Sequence, residues 1–239
     1  MLNAPAFIAA LILGFSKSGF KGLGFIHVSL MAYAFGSKAS TGILIPLLIF
    51  ADIFAIIYYR KDVNWKALIR LFPAMAVGVV IGVLVGDKMS SEVFKKVMAS
   101  IILVSGIALV VMDRMQNDSV PKNRTFANII GLTAGFSTMI GNLAGPLANI
   151  YFLAMKFPKR AFIGTVAWLF FFINIFKLPF HIWVWETVNR SSLKTDIWLA
   201  PFVILGFVIG IFLIEKISET LFKKYIIVIT LLGAILILL

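Results

Sequence analysis

The chain has no cysteine among its 239 residues. That excludes disulfides, thiolate metal sites and cysteine nucleophiles. Charge is also scarce. Only 13% of residues are charged, against 61% hydrophobic, where a soluble domain is about 25% charged and about 45–50% apolar. A protein of this size cannot hide so much apolar surface from water, so lipid must be the solvent for much of it. Acidic residues are scarcest, 10 against 22 Lys and Arg, and there are only two histidines. No paired-carboxylate constellation, HExxH, Walker or GxSxG pattern occurs. The glycine-rich segment near the start lacks the Gly-Lys-Ser/Thr ending of a phosphate loop. An enzyme, a cofactor site and a resident metal are therefore not expected.

The net charge of +12 does not imply nucleic-acid binding. The cations lie in short groups between apolar runs, the pattern of positive-inside topology signals. The opening "MLNAPAFIAA" lacks the basic region of a cleavable signal, so the first hydrophobic segment is expected to remain. Apolar runs near 40–59, 67–86, 94–112, 160–178, 196–214 and 222–239 approach the roughly 20 residues that a bilayer-spanning helix needs. Two regions differ. Residues 4–35 and 126–156 each hold a glycine-rich break between pieces too short for comfortable spans, which suits half-helices or re-entrant hairpins.

These irregular regions open two copies of one unit. "VGVVIGVLVGDKMSSEVFKK" (77–96) aligns without gaps on "LGFVIGIFLIEKISETLFKK" (205–224). Upstream, "GFS" at 14–16 matches 135–137, Gly24 matches Gly145, Gly42 falls on Gly164, and Asp52 on Asn174. The expected organisation is a first transmembrane repeat (1–114), a polar linker (115–124) and a second repeat (125–239). If each irregular region enters and leaves on one side, three further crossings follow and the copies are inverted. Thirteen Lys and Arg then collect on one side against seven on the other, whereas single crossings would divide them evenly. The fold expected is an all-α polytopic bundle of two inverted repeats, each starting with a broken or re-entrant helix pair. Both termini would be periplasmic.

"GFSKSGFKGLG" (14–24) places two cations and a broken backbone between apolar segments. Irregular backbone at membrane depth must face protein or a water-filled cavity. Intramembrane charge is costly and usually functional. Glycines allow the turn, the helix restarting near Gly22–Gly24 exposes unpaired N–H groups and a positive dipole end, and Lys17, Lys21, Ser16 and Ser18 add charge and donors. Together they describe an anion site. The second break, "GFSTMIGNLAGPLAN" (135–149), repeats the turn without lysines and offers Ser137, Thr138, Asn142 and Asn149. Two facing breaks would enclose one site at the repeat interface. Asp52, inside "LLIFADIFAIIYY", is a candidate proton carrier or cation ligand, or a helix–helix hydrogen-bonding residue. Its mate Asn174 is the neutral isostere. Lys177, three residues on, is either a site cation or a side chain snorkelling from a helix end. His27 is a coupling candidate or a packing residue, and His181 is expected at the membrane interface.

At these residues the sequence resembles the sulfite exporter (TauE/SafE) family of membrane permeases. The likeness lies in "GFSKSGFKGLG", "STGILIPLLIFADIFAIIYYRKDVNWK" (40–66), "GFSTMIGNLAGPLANIYFLAMKFPK" (135–159) and "FIGTVAWLFFFINIFKLPFH" (162–181), in the same order of spans. Where that family commonly continues into a glycine cluster and a proline, this chain reads "GLGFIHVSL". The resemblance implies a multi-pass carrier of the bacterial inner membrane, exporting sulfite or a small organosulfur anion. The residues alone reach only a secondary carrier for a small anion, with the bilayer as its second partner. An anion channel, a carrier for a non-sulfur anion and a homo-oligomer all stay open.

Overall fold

The computed structural model describes residues 3–20, 23–114, 123–218 and 220–221, with the side chains of 102, 105, 106 and 108–114 excepted. The expected span at 222–239 therefore lies outside the described residues. Those described form nine helices and no strand: α1 (Ala4–Lys17), α2 (Gly24–Phe35), α3 (Ser37–Tyr59), α4 (Trp65–Asp87), α5 (Ser91–Arg114), α6 (Arg124–Gly141), α7 (Ala144–Ala154), α8 (Lys159–Trp183) and α9 (Arg190–Ile214). Helices α3, α4, α8 and α9 are long and apolar enough to cross a membrane. By contrast, α1, α2 and α7 run 14, 12 and 11 residues. At 1.5 Å per residue they fall well short of the roughly 30 Å hydrocarbon layer.

Local chemistry sets the helix ends. The side chains of Asn3, Asn64, Asn123 and Asn189 each accept a backbone N–H of the helix that follows, and Asn189 forms a capping box with Ser192. The first break turns at Gly19, whose φ of 135° disfavours any side chain. The second turns at Asn142 (φ 57°), which ends α6 while its N–H bonds back to the Thr138 carbonyl at 2.9 Å.

Contacts give each helix a direction. Along α1 and α9, Phe7 meets Phe202 and Ser18 meets Gly210, so the two run parallel. Phe54 and Tyr58 of α3 meet Phe207 and Glu215, so α3 is parallel to α9. Trp65 and Phe72 of α4 meet Trp168 and Phe172, so α4 is parallel to α8. Helix α6 runs with α4, Gly131 lying at Leu71 and Met139 at Gly82. Between the two sets, α3 and α8 are antiparallel: Gly42 abuts Thr187, just past α8, and Gly164 abuts Asp62, just past α3.

Close helix approach depends on glycine at matched positions. A Cβ on Gly14 would run into the Val203 carbonyl, and one on Gly206 into the Leu11 carbonyl. In the other half, Gly135 faces the Met75 carbonyl and Gly78 the Leu132 carbonyl. Packing of this kind replaces the hydrophobic drive that lipid removes.

Candidate functional site

The crossing of α3 and α8 brings the matched residues Asp52 and Asn174 into contact. Asn174 Nδ2 donates to Asp52 Oδ2 at 2.9 Å, and Lys17 Nζ donates to Asp52 Oδ1 at 2.6 Å. Lys17 and Asp52 are almost wholly buried, and the Lys17 ammonium also sits 5.1 Å from the centre of the Phe170 ring. On the other side, Lys177 Nζ donates to the Thr138 carbonyl (2.9 Å), Thr138 Oγ1 (3.0 Å), Asn142 Oδ1 (2.6 Å) and Asn174 Oδ1 (3.4 Å). All four acceptors are neutral. One polar chain therefore crosses the molecule from Lys17 through Asp52 and Asn174 to Lys177. Lys17 pairs directly with the Asp52 carboxylate, and Asn174 bridges that carboxylate to Lys177.

Lys177 is fully buried, so it does not snorkel from a helix end. His181 is also fully buried, two residues before α8 ends, its Nδ1 within 2.8 Å of Thr187 Oγ1. The neighbouring Trp183 is the exposed ring.

Beside this chain lies a cavity of about 50 Å³, room for a few waters or one small ion. Residues of both breaks line it: Ser16, Lys17 and Gly24 from the first, Thr138, Asn142, Gly145 and Asn149 from the second, with His27, Phe170 and Asn174. Two helices begin at its wall. Leu23 precedes α2 and Leu143 precedes α7, and neither has a side chain that caps the helix. No side chain therefore caps the first turn of either helix, the Ile26 N–H bonding to the Leu23 carbonyl at 3.0 Å, and both positive dipole ends meet at one small space. Among the described residues, three polar atoms on the lining have no partner within hydrogen-bond geometry: His27 Nδ1 and Nε2, and Asn149 Nδ2, on side chains at least 97% buried. An unpartnered buried polar atom costs stability and calls for an explanation.

Of the expected site residues, Ser16, Lys17, Gly24, His27, Thr138, Asn142, Asn149 and Asn174 line the cavity. Asp52 and Lys177 stand behind it. Ser18 turns away, its hydroxyl donating to the Phe15 carbonyl at 2.8 Å and packing against Gly210. Ser137 likewise donates along its own helix to the Thr133 carbonyl. Lys21 and Gly22 lie outside the described residues.

Sequence reasoning missed Gly145 and Phe170. Gly145 carried a signal, as the glycine that the sequence comparison sets against Gly24. Phe170 sits in a run of aromatics that nothing in the sequence sets apart. Gly24 and Gly145 also differ from the packing glycines. A Cβ on Gly145 meets nothing within 4 Å, and one on Gly24 meets only His27 Cε1, at 3.9 Å. Neither has a positive φ. Packing and backbone geometry leave these two glycines unexplained, and both face the cavity.

The family model described as "Sulfite exporter TauE/SafE" matches residues 6–237. No curated protein and no solved structure matches the chain.

Proposed function

The chain belongs to the sulfite exporter TauE/SafE family, and on that premise we propose that it exports sulfite or a small organosulfur anion across the bacterial inner membrane as a secondary carrier. The observation that carries the anion reading is the cavity where two uncapped helix N-termini converge with the unpartnered donors of His27 and Asn149. Helix N-termini bind oxyanions through their free N–H groups and dipole, and broken helices in transporters use them so near the midplane. Lys177, donating to oxygens of Thr138, Asn142 and Asn174, adds a buried basic group whose charged form a bound anion favours. The cavity's volume suits a small anion over a bulky organic molecule.

The same reading includes two inverted repeats, 1–114 and 125–239, with the site at their interface. Its support is reciprocity. The offsets that match the repeats exchange the parallel set α1, α3, α9 for the oppositely directed set α6, α8, α4. They also exchange the collision of Gly14 with Val203 for that of Gly135 with Met75. Pro73 and Pro201, inside α4 and α9, obey the same offset. The Lys and Arg distribution favours periplasmic termini in the inner membrane.

The test is flux of sulfite, sulfoacetate and non-sulfur anions of similar size in proteoliposomes, with and without a pH gradient. Saturable, gradient-coupled sulfite or sulfoacetate flux supports the proposal. Conductance without coupling would make the protein a channel, and saturable flux of only non-sulfur anions would replace the substrate.

A further inference from the structure

Two ion pairs at opposite ends of the bundle occupy matched positions. Lys38, at the start of α3, reaches Asp87, the last residue of α4, at 3.8 Å. Arg160, at the start of α8, reaches Glu215, immediately after α9, at 4.0 Å. The offset of 122 that carries Gly42 to Gly164 carries Lys38 to Arg160. The offset of 128 that carries Gly82 to Gly210 carries Asp87 to Glu215. Each cation also touches the connection that follows the opposing central helix. Lys38 lies 5.2 Å from the Trp185 ring centre, and Arg160 Nε donates to Asp62 at 3.2 Å. Because α3 and α8 are antiparallel, the two clusters lie about 34 Å apart, the length of α3, on either side of the central cavity.

We infer that these clusters are the two gates of the transport path, latches that open in turn. Each ties the start of one central helix, the end of the next long helix and the connection beyond the other central helix, so separating those elements uncovers the cavity from that end. All four charged partners are partly or well exposed. Exposed pairs are weak and screened, which lets a latch open thermally. The two are not equally made. At the Arg160 end, Asp62, Glu215 and the Tyr58 hydroxyl on Glu215 form one network, and Lys159 Nζ donates to the carbonyls of Ile214 and Ile217. At the other end, the described contacts of the Lys38 ammonium are Asp87 and the Trp185 ring. Trp185 in turn donates its Nε1 to the Val83 carbonyl of α4 at 3.3 Å. The inference rests on the transport reading but not on the identity of the anion.

The absence of cysteine supplies the test. Ser16→Cys places one thiol in the cavity wall, and Gly145→Cys places one on the opposite wall, where a Cβ meets open space. Labelling with a membrane-impermeant thiol reagent, in right-side-out and inverted vesicles, reads access from each side. Lys38→Gln should raise labelling from the Lys38 side, and Arg160→Gln from the other, each by up to about fivefold. The swap Lys38→Asp with Asp87→Lys should return labelling toward the parent level. Both variants acting from the same side, neither changing access in either cysteine background, or a swap that restores nothing would overturn the inference. Side-specific labelling without flux of any tested anion would support the latches while rejecting the proposed substrate.

Discussion

Gly145→Ala separates a ligand-facing glycine from a packing glycine. Gly145 is the second residue of α7, and an alanine Cβ there meets no atom within 4 Å. Alanine is a better helix former than glycine by up to about 1 kcal/mol, so the folded protein should be unharmed or slightly more stable. An anion resting on the free N–H groups of this turn would meet the new methyl and be held off the backbone. Losing one charge-assisted hydrogen bond costs about 1.5–3 kcal/mol, or about ten- to a hundredfold in affinity. Gly24→Ala, at the matched turn of α2, should behave alike. Gly135→Ala is the contrast, because its Cβ overlaps the Met75 carbonyl and folded protein should be lost. Thermal unfolding in detergent and titration of sulfite against each variant give both quantities. Unchanged affinity in both Gly145→Ala and Gly24→Ala, at undiminished stability, would refute the reasoning and leave the helix N-termini without a ligand.

Asp52→Asn should lower stability by about 3–5 kcal/mol, because it leaves the Lys17 ammonium buried without its carboxylate. Lys17→Gln combined with Asp52→Asn should recover much of that loss, and additive denaturation midpoints across the cycle would mean the two are uncoupled. If that double variant folds and still shows pH-driven flux, Asp52 does not carry the coupling proton. Lys177→Gln removes the buried basic group behind the cavity and is expected to weaken anion binding about tenfold or more, measured by flux competition. Reporter fusions should read cytoplasmic after Met115 and periplasmic at Leu239; a cytoplasmic C-terminus would reverse the charge-based topology.

Much of the architecture was legible in the sequence because the bilayer leaves few options. A chain with 61% hydrophobic residues and spans near 20 residues must be helical, since only helices satisfy their own backbone in lipid without closing into a barrel. The two breaks were legible for the same reason. Glycines, serines and lysines at membrane depth are tolerated only where backbone and charge face a cavity, so Lys17, Thr138 and Asn142 could be named from their neighbours in the chain. Matched glycines and the recurring "FKK" carry the expectation of a repeat. Tertiary structure decided what each polar residue touches. Nothing in "GFSKSG" says that Ser16 faces the cavity while Ser18 turns to the Phe15 carbonyl, because a two-residue step reverses the face of a helix. Lys177 could have snorkelled or been buried. The end of α6 chose burial by setting the oxygens of Thr138 and Asn142 against the Lys177 amino group, with Asn174 one turn away on its own helix. The pairing of Lys17 with Asp52 spans 35 residues, and that of Asn174 with Asp52 spans 122. Contacts at such separations depend on how the helices cross, which local sequence does not encode.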